Sequence, residues 1–563
     1  MTNKDIARIF KKTAQLMELH EANAFKVRAM QNAVLNIEQQ PTALCGRSEE
    51  DLQAMEGIGK GLARQIVEIC ETDALTALSE LLEKTPEGII ELLDLKGIGP
   101  KKLRNLWIEH KIDNADALLE AAENGEIAKL KGFGAKTQEN IKTALIYLIE
   151  NRGKKRYADA ESLADEFLVQ LKSHWQGLQI SPTGELRRKC EVISQLEYLI
   201  ASDQPAKIMD YLTDHDDLEP VNEKSGPYTF YGIWIPHKLP VLIRICQPSQ
   251  YFGNLVALTA SPAHLPTLNK DGQHLFNIMH SKKWKNENEV YEAFDLSCPV
   301  PEIREWPENL ESNNLIELSD IKGCMHNHST YSDGKNSIEE MAQACKERNL
   351  EYFGLSDHSQ SAYYASGLQP HQIEKQLDEI DEINKKLSPF KIFKGIESDI
   401  LADGSLDYDD EILQKFDFIV SSIHSSLNMD VKKATTRLIR AIENPFTTML
   451  GHMTGRLLLR REGYPVDHKA IIKACAQNDV IIEINANPWR LDIDWRWIRM
   501  ALDEGVMLSI NPDAHETDGI DHMKYGVITG RKGGLTKDRT FNCFDLKQAE
   551  EFLVSRKKKK GIN

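Results

Sequence analysis

The stretch IKGCMHNHSTYSDG (residues 321–334) decides the fold of the larger part of the chain. A short apolar run ends in His326-Asn327-His328, and Asp333 follows in a polar turn. The same rhythm recurs at intervals of about 30 residues. YFGLS leads to Asp357-His358, KIFKGI to Glu397, FDFIVSSI to His424 and TTMLG to His452. VIIEI then leads to Asn485, and VMLSINP to Asp513-Ala514-His515. Helical patterns such as IEEMAQACKERN and HKAIIKACAQND lie between these runs. Strand–helix alternation of this kind predicts an α/β barrel whose strands end on one rim. A lone His after a strand is ordinarily a hydrogen-bonded structural residue. Six histidines and three carboxylates at successive strand ends describe a metal-ligating cluster instead. On an extended strand the rings of His326 and His328 would face the same side.

This set resembles the PHP domain (polymerase and histidinol phosphatase), a distorted (β/α)7 barrel that binds up to three metals. The resemblance implies that His326, His328, Glu397 and Asp513 hold one ion. Glu397 would bridge to a second ion held by His424 and His452, and Asp333, His358 and His515 would hold the third. Mixed nitrogen and oxygen ligation suits Mn, Zn or Fe without singling one out. Such ions lower the pKa of a water and neutralise phosphodiester oxygens, so the implied chemistry is phosphoester hydrolysis. His326, His328, Glu397, His424 and Asp513 are its catalytic candidates. Arg437 and Arg456 are candidates for phosphate contacts or, equally, for surface ion pairs.

Upstream, one pattern occurs three times: Met55-Glu56-Gly57-Ile58-Gly59-Lys60, Leu95-Lys96-Gly97-Ile98-Gly99-Pro100-Lys101-Lys102 and Leu130-Lys131-Gly132-Phe133-Gly134-Ala135-Lys136. Amphipathic stretches such as LARQIVEIC and LRNLWIEH follow the first two, which predicts helix, GxG turn, helix. The glycines leave backbone N–H groups bare at a helix start, where an anion such as a DNA phosphate is favoured. Gly57, Gly59, Lys60, Gly97, Gly99, Lys101, Lys102, Gly132, Gly134 and Lys136 are therefore candidate DNA contacts, and they position the backbone without reading sequence. Residues 1–150 hold 19 Lys and Arg against 24 Asp and Glu, so binding should be modest. The arrangement resembles the helix-hairpin-helix repeats that open the bacterial family X DNA polymerases. In that family a lysine after the first hairpin can act as a lyase nucleophile. Gln65 stands at the matching position, so no lyase activity is expected.

Residues 181–197 (SPTGELRRKCEVISQLE) resemble the nucleotidyltransferase signature of the family X palm. Gly184, Arg187 and Arg188 match it. Glu185 replaces the serine, Gln195 and Glu197 stand at the two aspartate positions, and Leu242 stands at the third. Tyr251-Phe252-Gly253 and Thr259-Ala260-Ser261 echo the family's nucleotide turn in altered form. Two-metal transfer needs anionic oxygens converging on ions about 4 Å apart. A glutamine and a leucine do not provide them, so the polymerase centre is expected to be degenerate.

The 563 residues carry a net charge of −17, are 41% hydrophobic and 28% charged, and exceed what one core supports. No apolar run approaches the roughly 20 residues of a membrane span, and MTNKDIARIFKK is not followed by the apolar segment of a secretory signal. Nine scattered cysteines, none spaced CxxC, argue against a disulfide framework and fit a cytoplasmic protein. The expected organisation is multidomain. An α-helical hairpin domain (1–80) and a second hairpin, fingers-like domain (81–152) come first. An α+β palm (153–245), a thumb-like segment with linker (246–310, including residues 299–306) and the PHP barrel (318–556) follow. The lysine-rich end (556–560) reads as a solvated tail or a weak DNA contact.

Taken with the resemblance, these readings imply a metal-dependent DNA phosphodiesterase, a 3′-5′ exonuclease or 3′-end-processing enzyme of DNA repair. The alternatives are an active family X polymerase with PHP exonuclease, a non-catalytic DNA-binding scaffold, and a small-molecule phosphatase. DNA is the expected partner, at ends, gaps or nicks.

Overall fold

In a computed structural model, all residues are described except 2, 39, 41, 42, 56, 96, 268–271, 280 and 563, and the side chains of 4 and 38. Glu56 and Lys96, in the first two hairpin segments, thus lie outside the described residues. The chain forms two compact units, Met1–Arg152 and Gly153–Asn563.

The first unit is helical, and its hairpins follow from glycine chemistry. Gly57, Gly97 and Gly132 adopt φ of +78°, +99° and +87°, a region that side chains rarely occupy. The second glycine of each pair caps the next helix in extended conformation: Gly59 before Lys60–Thr72, Gly99 before Pro100–His110, Gly134 before Ala135–Glu150. The residue between them, Ile58, Ile98 or Phe133, is buried and anchors the turn. Cys45 and Cys70 form a disulfide here, contrary to the expectation of none. Twenty-five residues of separation leave no local spacing signal; the helix Lys60–Thr72 brings Cys70 alongside the loop carrying Cys45. The other seven cysteines are free.

The second unit opens with a short ribbon, β1 (Lys155–Arg156) against β3 (Val192–Ile193), and a five-stranded sheet. The sheet orders β2 (Ile180–Pro182), β4 (Leu196–Ala201), β7 (Leu239–Cys246), β6 (Thr229–Trp234) and β5 (Leu218–Pro220). Only β4 and β7 run parallel, with Glu197 opposite Leu242.

The barrel's seven strands lie side by side in chain order and pair in parallel: β8 (Gly323–Cys324), β9 (Tyr352–Leu355), β10 (Lys391–Asp399), β11 (Phe418–Ser422), β12 (Met449–Leu450), β13 (Ile481–Asn485) and β14 (Leu508–Asn511). Past β8 and β14 the ring is nearly closed by one bridge, Asn327 to Ala514, with His328 N donating to Ala514 O at 2.9 Å. Strand alternation then sorts the side chains. Ile392, Ile396, Ile482 and Ile484 pack outward with the helices. Phe393, Phe418, Val420, Met449 and Ile481 fill the lower interior with Met325 and Phe541. Gly395 makes room there, since a Cβ would sit 2.2 Å from the Phe418 ring. The same inward register carries Glu397 and Asp399 on β10 and Glu483 and Asn485 on β13 to the upper interior.

The basic end is not a free tail, since Arg556–Lys559 are helical and Lys560 caps the helix. The helix Leu546–Lys559 contains it, and Arg556 is buried with its guanidinium on the carbonyls of Asp479, Pro445 and Thr447. Lys557 donates to Gln414 O and Phe416 O. These carbonyls precede β11, β12 and β13, at the barrel end opposite the histidines.

Candidate metal centre

The strand ends deliver the predicted residues to one place. His326 Nε2 lies 3.2 Å from Glu397 Oε1 and 3.6 Å from Asp513 Oδ1, and His328 Nε2 lies 3.2 Å from Asp513 Oδ1. His424 Nε2 and His452 Nε2 lie 3.2 and 3.1 Å from Glu397 Oε1. His358 Nδ1 is 2.8 Å from Glu397 Oε2, and His515 Nε2 is 3.3 Å from Asp333 Oδ1. Three ligand groups converge within 4.8 Å: His328, Asp333, His358 and His515; His326, His328 and Asp513; His358, Glu397 and His424. The grouping differs in detail from the expected sets, because His328 and His358 each belong to two groups and His452 approaches only through Glu397 Oε1 and His424.

Several of these buried atoms make no hydrogen bond: His326 Nε2, His358 Nδ1 and both Glu397 oxygens. Nitrogen and oxygen atoms about 3 Å apart without hydrogen-bond geometry are costly to bury unless a cation lies between them. The donor set therefore fits divalent metal ions.

Charge crowding shows in the titration of the side chains. Burial opposes a charged His326, but Glu483, Glu397 and Asp513 outweigh it and raise its pKa well above the usual histidine value. Burial also opposes His424 and His515, yet Glu397 and Asp399 lift the first to about 10, and Asp333 and Asp513 lift the second to about 9. His328 is pushed down to about 3 by burial and by its neighbours His515 and His358. Asp333 falls to about 2, because His515, His358 and His328 overcome its burial.

The backbone corrects one expectation. His326 is not on an extended strand: its φ is +61°, and Asp513 has φ +51°. Left-handed backbone at non-glycine residues costs about 1–3 kcal/mol and persists where surrounding structure imposes it. The two rings still converge, with centroids 5.3 Å apart.

Glu483, Asp399 and Arg490 escaped the strand-end reading, and Asp357, named there without a role, takes one in the structure. Glu483, fully buried on β13, lies 2.6 Å from His326 Nδ1 and accepts from His452 N at 2.7 Å. Asp399 holds His424 Nδ1. Asp357 accepts from Ser329 N and Oγ and Gln376 Nε2 and so shapes the His328 loop. Arg490 Nε reaches Asp513 Oδ2 at 3.3 Å. A carboxylate inside an apolar strand was the available signal for Glu483 and Asp399; nothing local marks Arg490.

Of the two readings of Arg437 and Arg456, the structure shows both guanidinium groups engaged within the chain. Arg437 is buried and spends its guanidinium on the carbonyls of Ile400, Leu401 and Ser425. Arg456 pairs with Asp494 and donates to Arg490 O and Leu491 O. In the five-stranded part, Arg187 pairs with Glu287 and Arg188 with Glu305. Glu197 receives Arg244 at 3.2 Å and Gln195 Nε2 at 3.1 Å, and Glu185 accepts from Ser194 N. In the hairpins Lys60, Lys101 and Lys136 are exposed in the first turn of their helices, and Lys102 lies 4.9 Å from the centre of the Phe133 ring.

Comparison with known proteins agrees with this layout. Residues 1–75 match the helix-hairpin-helix domain, 89–145 the SAM-like helix-hairpin-helix tandem and 325–487 the PHP domain. The chain is 35% identical over 568 residues to the DNA polymerase/3'-5' exonuclease PolX of Bacillus subtilis (strain 168), covering 98% of this chain and 99% of that protein. It is 26% identical over 248 residues to a probable phosphatase of Thermoanaerobacter sp. (strain X514), covering 42% and 96%. A probable phosphatase of Clostridium acetobutylicum is 26% identical over 193 residues, covering 33% and 76%. Among the described residues no helix is long and apolar enough to cross a membrane.

Proposed function

The chain belongs to the family of the DNA polymerase/3'-5' exonuclease PolX, and from that membership we propose that it is a metal-dependent DNA phosphodiesterase that trims 3′ ends. The observation that carries this reading is the convergence of eight side chains in three ligand groups, with His452 against Glu397 and with unpartnered buried donor atoms, on the barrel rim.

In this reading His326, His328, Glu397 and Asp513 hold one divalent ion, and Glu397 with His424 and His452 a second. Asp333, His358 and His515 hold the third. Bound ions of this kind supply Lewis acidity and a nucleophile at neutral pH. The chain's own residues do the rest. Glu483 and Asp399 hold the His326 and His424 rings in place through their second nitrogens. Arg490, on the rim beside Asp513, is positioned to meet a phosphate oxygen. The hairpins bind the DNA backbone through the bare N–H groups after Gly57, Gly97 and Gly132, without sequence preference.

The palm takes no part in nucleotide transfer. Its two arginines are engaged by Glu287 and Glu305, Glu197 is engaged by Arg244, and Leu242 offers no ligand. One experiment separates the readings: a recessed, 5′-labelled primer–template with Mn²⁺, with and without the four dNTPs. Shortening under both conditions is expected, abolished in His326→Ala and His358→Ala with DNA binding nearly intact. Extension with dNTPs would overturn the palm assignment, and cleavage by both variants would overturn the metal centre.

A further inference from the structure

Tyr363 and Tyr364 are 84% and 69% exposed, and the first is more exposed than any other large apolar or aromatic side chain among the described residues. Water-facing aromatic rings in sequence are unusual, and they need an explanation when they border a reactive site. We propose that this pair is a stacking platform for the terminal nucleobases of the DNA strand entering the metal centre. The inference rests on the DNA phosphodiesterase reading above and adds the residues that position the substrate.

The rings are presented by a fixed loop. Ala362 and Ala365, on either side, are 0% and 1% exposed, and Leu368 is fully buried. Ser361 N donates to Asp407 Oδ2 at 2.7 Å and Ser361 Oγ to Asp399 Oδ2 at 3.1 Å, tying the loop to the carboxylate that holds His424. Leu368 N donates to His358 O at 2.8 Å. Gly367 passes so close that a Cβ would meet Ser359 O at 1.9 Å. Both tyrosines are thus held outward by buried neighbours. No hydrogen bond ties either hydroxyl to the described residues.

Position supplies the second argument. The Tyr364 ring centre lies 6.1 Å from His358 and 6.4 Å from His424. That separation resembles the one between a nucleotide's phosphate and its own base. With the phosphate over the histidines, the base therefore falls on Tyr364, and the more exposed Tyr363 next to it in the chain is the aromatic face offered to the following base. Every base offers a π-face, so stacking of this kind tolerates any sequence and suits an enzyme that must accept all ends. Base–aromatic stacking of ordinary strength corresponds to about 5- to 100-fold in affinity.

The test compares two single-stranded oligonucleotides in Mn²⁺: one ending in two thymidines, and one whose last two residues are abasic tetrahydrofuran. Wild type is expected to show a KM at least about 5-fold lower on the base-bearing end, the factor expected from a single stacked base, and lower still where both bases stack. Tyr363→Ala/Tyr364→Ala should raise that KM to the abasic value while leaving kcat on the abasic end unchanged, which also shows the variant is folded. Tyr363→Phe/Tyr364→Phe should behave as wild type. Equal KM values for the two ends in wild type, or an alanine pair that leaves the base-bearing KM unchanged, would overturn the platform while the phosphodiesterase reading stands. A second readout needs no turnover: Tyr364→Trp fluorescence should be quenched by the base-bearing oligonucleotide and not by the abasic one. If neither end is hydrolysed, the phosphodiesterase reading fails, and quenching alone then decides the platform. Equal quenching by both, or none, overturns it.

Discussion

Glu397 meets His326, His358, His424 and His452 within 3.2 Å, so a single carboxylate ties most of the rim together. Behind it stands Glu483, whose two oxygens face His326 Nδ1 and His452 N. Glu483→Gln keeps the shape but removes the charge, and its amide would point an N–H at one of those partners. We expect a 10- to 100-fold loss of metal affinity, read by chelator competition, with kcat largely recovered at saturating metal. The residues that converge on the rim were legible because a polar residue after an apolar run is conspicuous. Glu483 and Asp399 were not, since a fully buried parallel strand hides its inward and outward faces in one apolar run. The partners of Arg437 and Arg456 were left open between phosphate and ion pair, because only the folded chain shows that they reach carbonyls and, for Arg456, Asp494.

At the scale of elements, the hairpins were readable to the residue because glycine at positive φ has a specific physical cause. Gly97, at φ +99°, is the sharpest case. A Cβ there meets only ordinary contact with Ile141, so the cost of Gly97→Val is backbone strain and not collision, about 1–3 kcal/mol. DNA affinity, measured by fluorescence anisotropy, should fall, while turnover of a saturating short oligonucleotide should not change. The Cys45–Cys70 pair had no such signature: two residues 25 apart meet only because a helix returns one to the other. The barrel strands were anticipated in number and order, yet the left-handed turns at His326 and Asp513 were not, because no glycine announces them.

The second unit behaves as one body because its sheet and barrel share polar bonds across their boundary. Lys532 is buried, with Nζ 3.2 Å from Glu305 and bonded to Arg188 O at 3.1 Å. Glu191 receives Trp495 Nε1 and Arg496, and the Arg156 guanidinium lies 3.2 Å from the centre of the Trp489 ring. Burial opposes the Glu305 charge, but Lys532 and Arg188 bring its pKa down to about 2. A folded pKa below the unfolded one means the stabilisation is present above about pH 4.5 and is lost as pH falls toward 2. Its size is at most about 3 kcal/mol. Urea unfolding at pH 5 and pH 3 should therefore show a smaller difference for Glu305→Gln than for wild type, and the variant should be less stable at pH 5, where Lys532 has lost its counter-charge.

That boundary also bears on descent. A palm relieved of nucleotide transfer, as proposed above, would ordinarily be free to erode and disappear from a lineage. Here its surface shields the barrel's Trp495 through Glu191 and caps Lys532 through the Arg188 carbonyl, while Glu305 of the adjoining segment supplies the counter-charge, so an ancestor that lost the palm would have bared an indole and stripped Lys532 of a buried partner. Inheritance of the sheet is thus enforced by its neighbour, and substitutions should accumulate fastest around Gln195 and Leu242 and slowest at Arg188, Glu191 and Glu305.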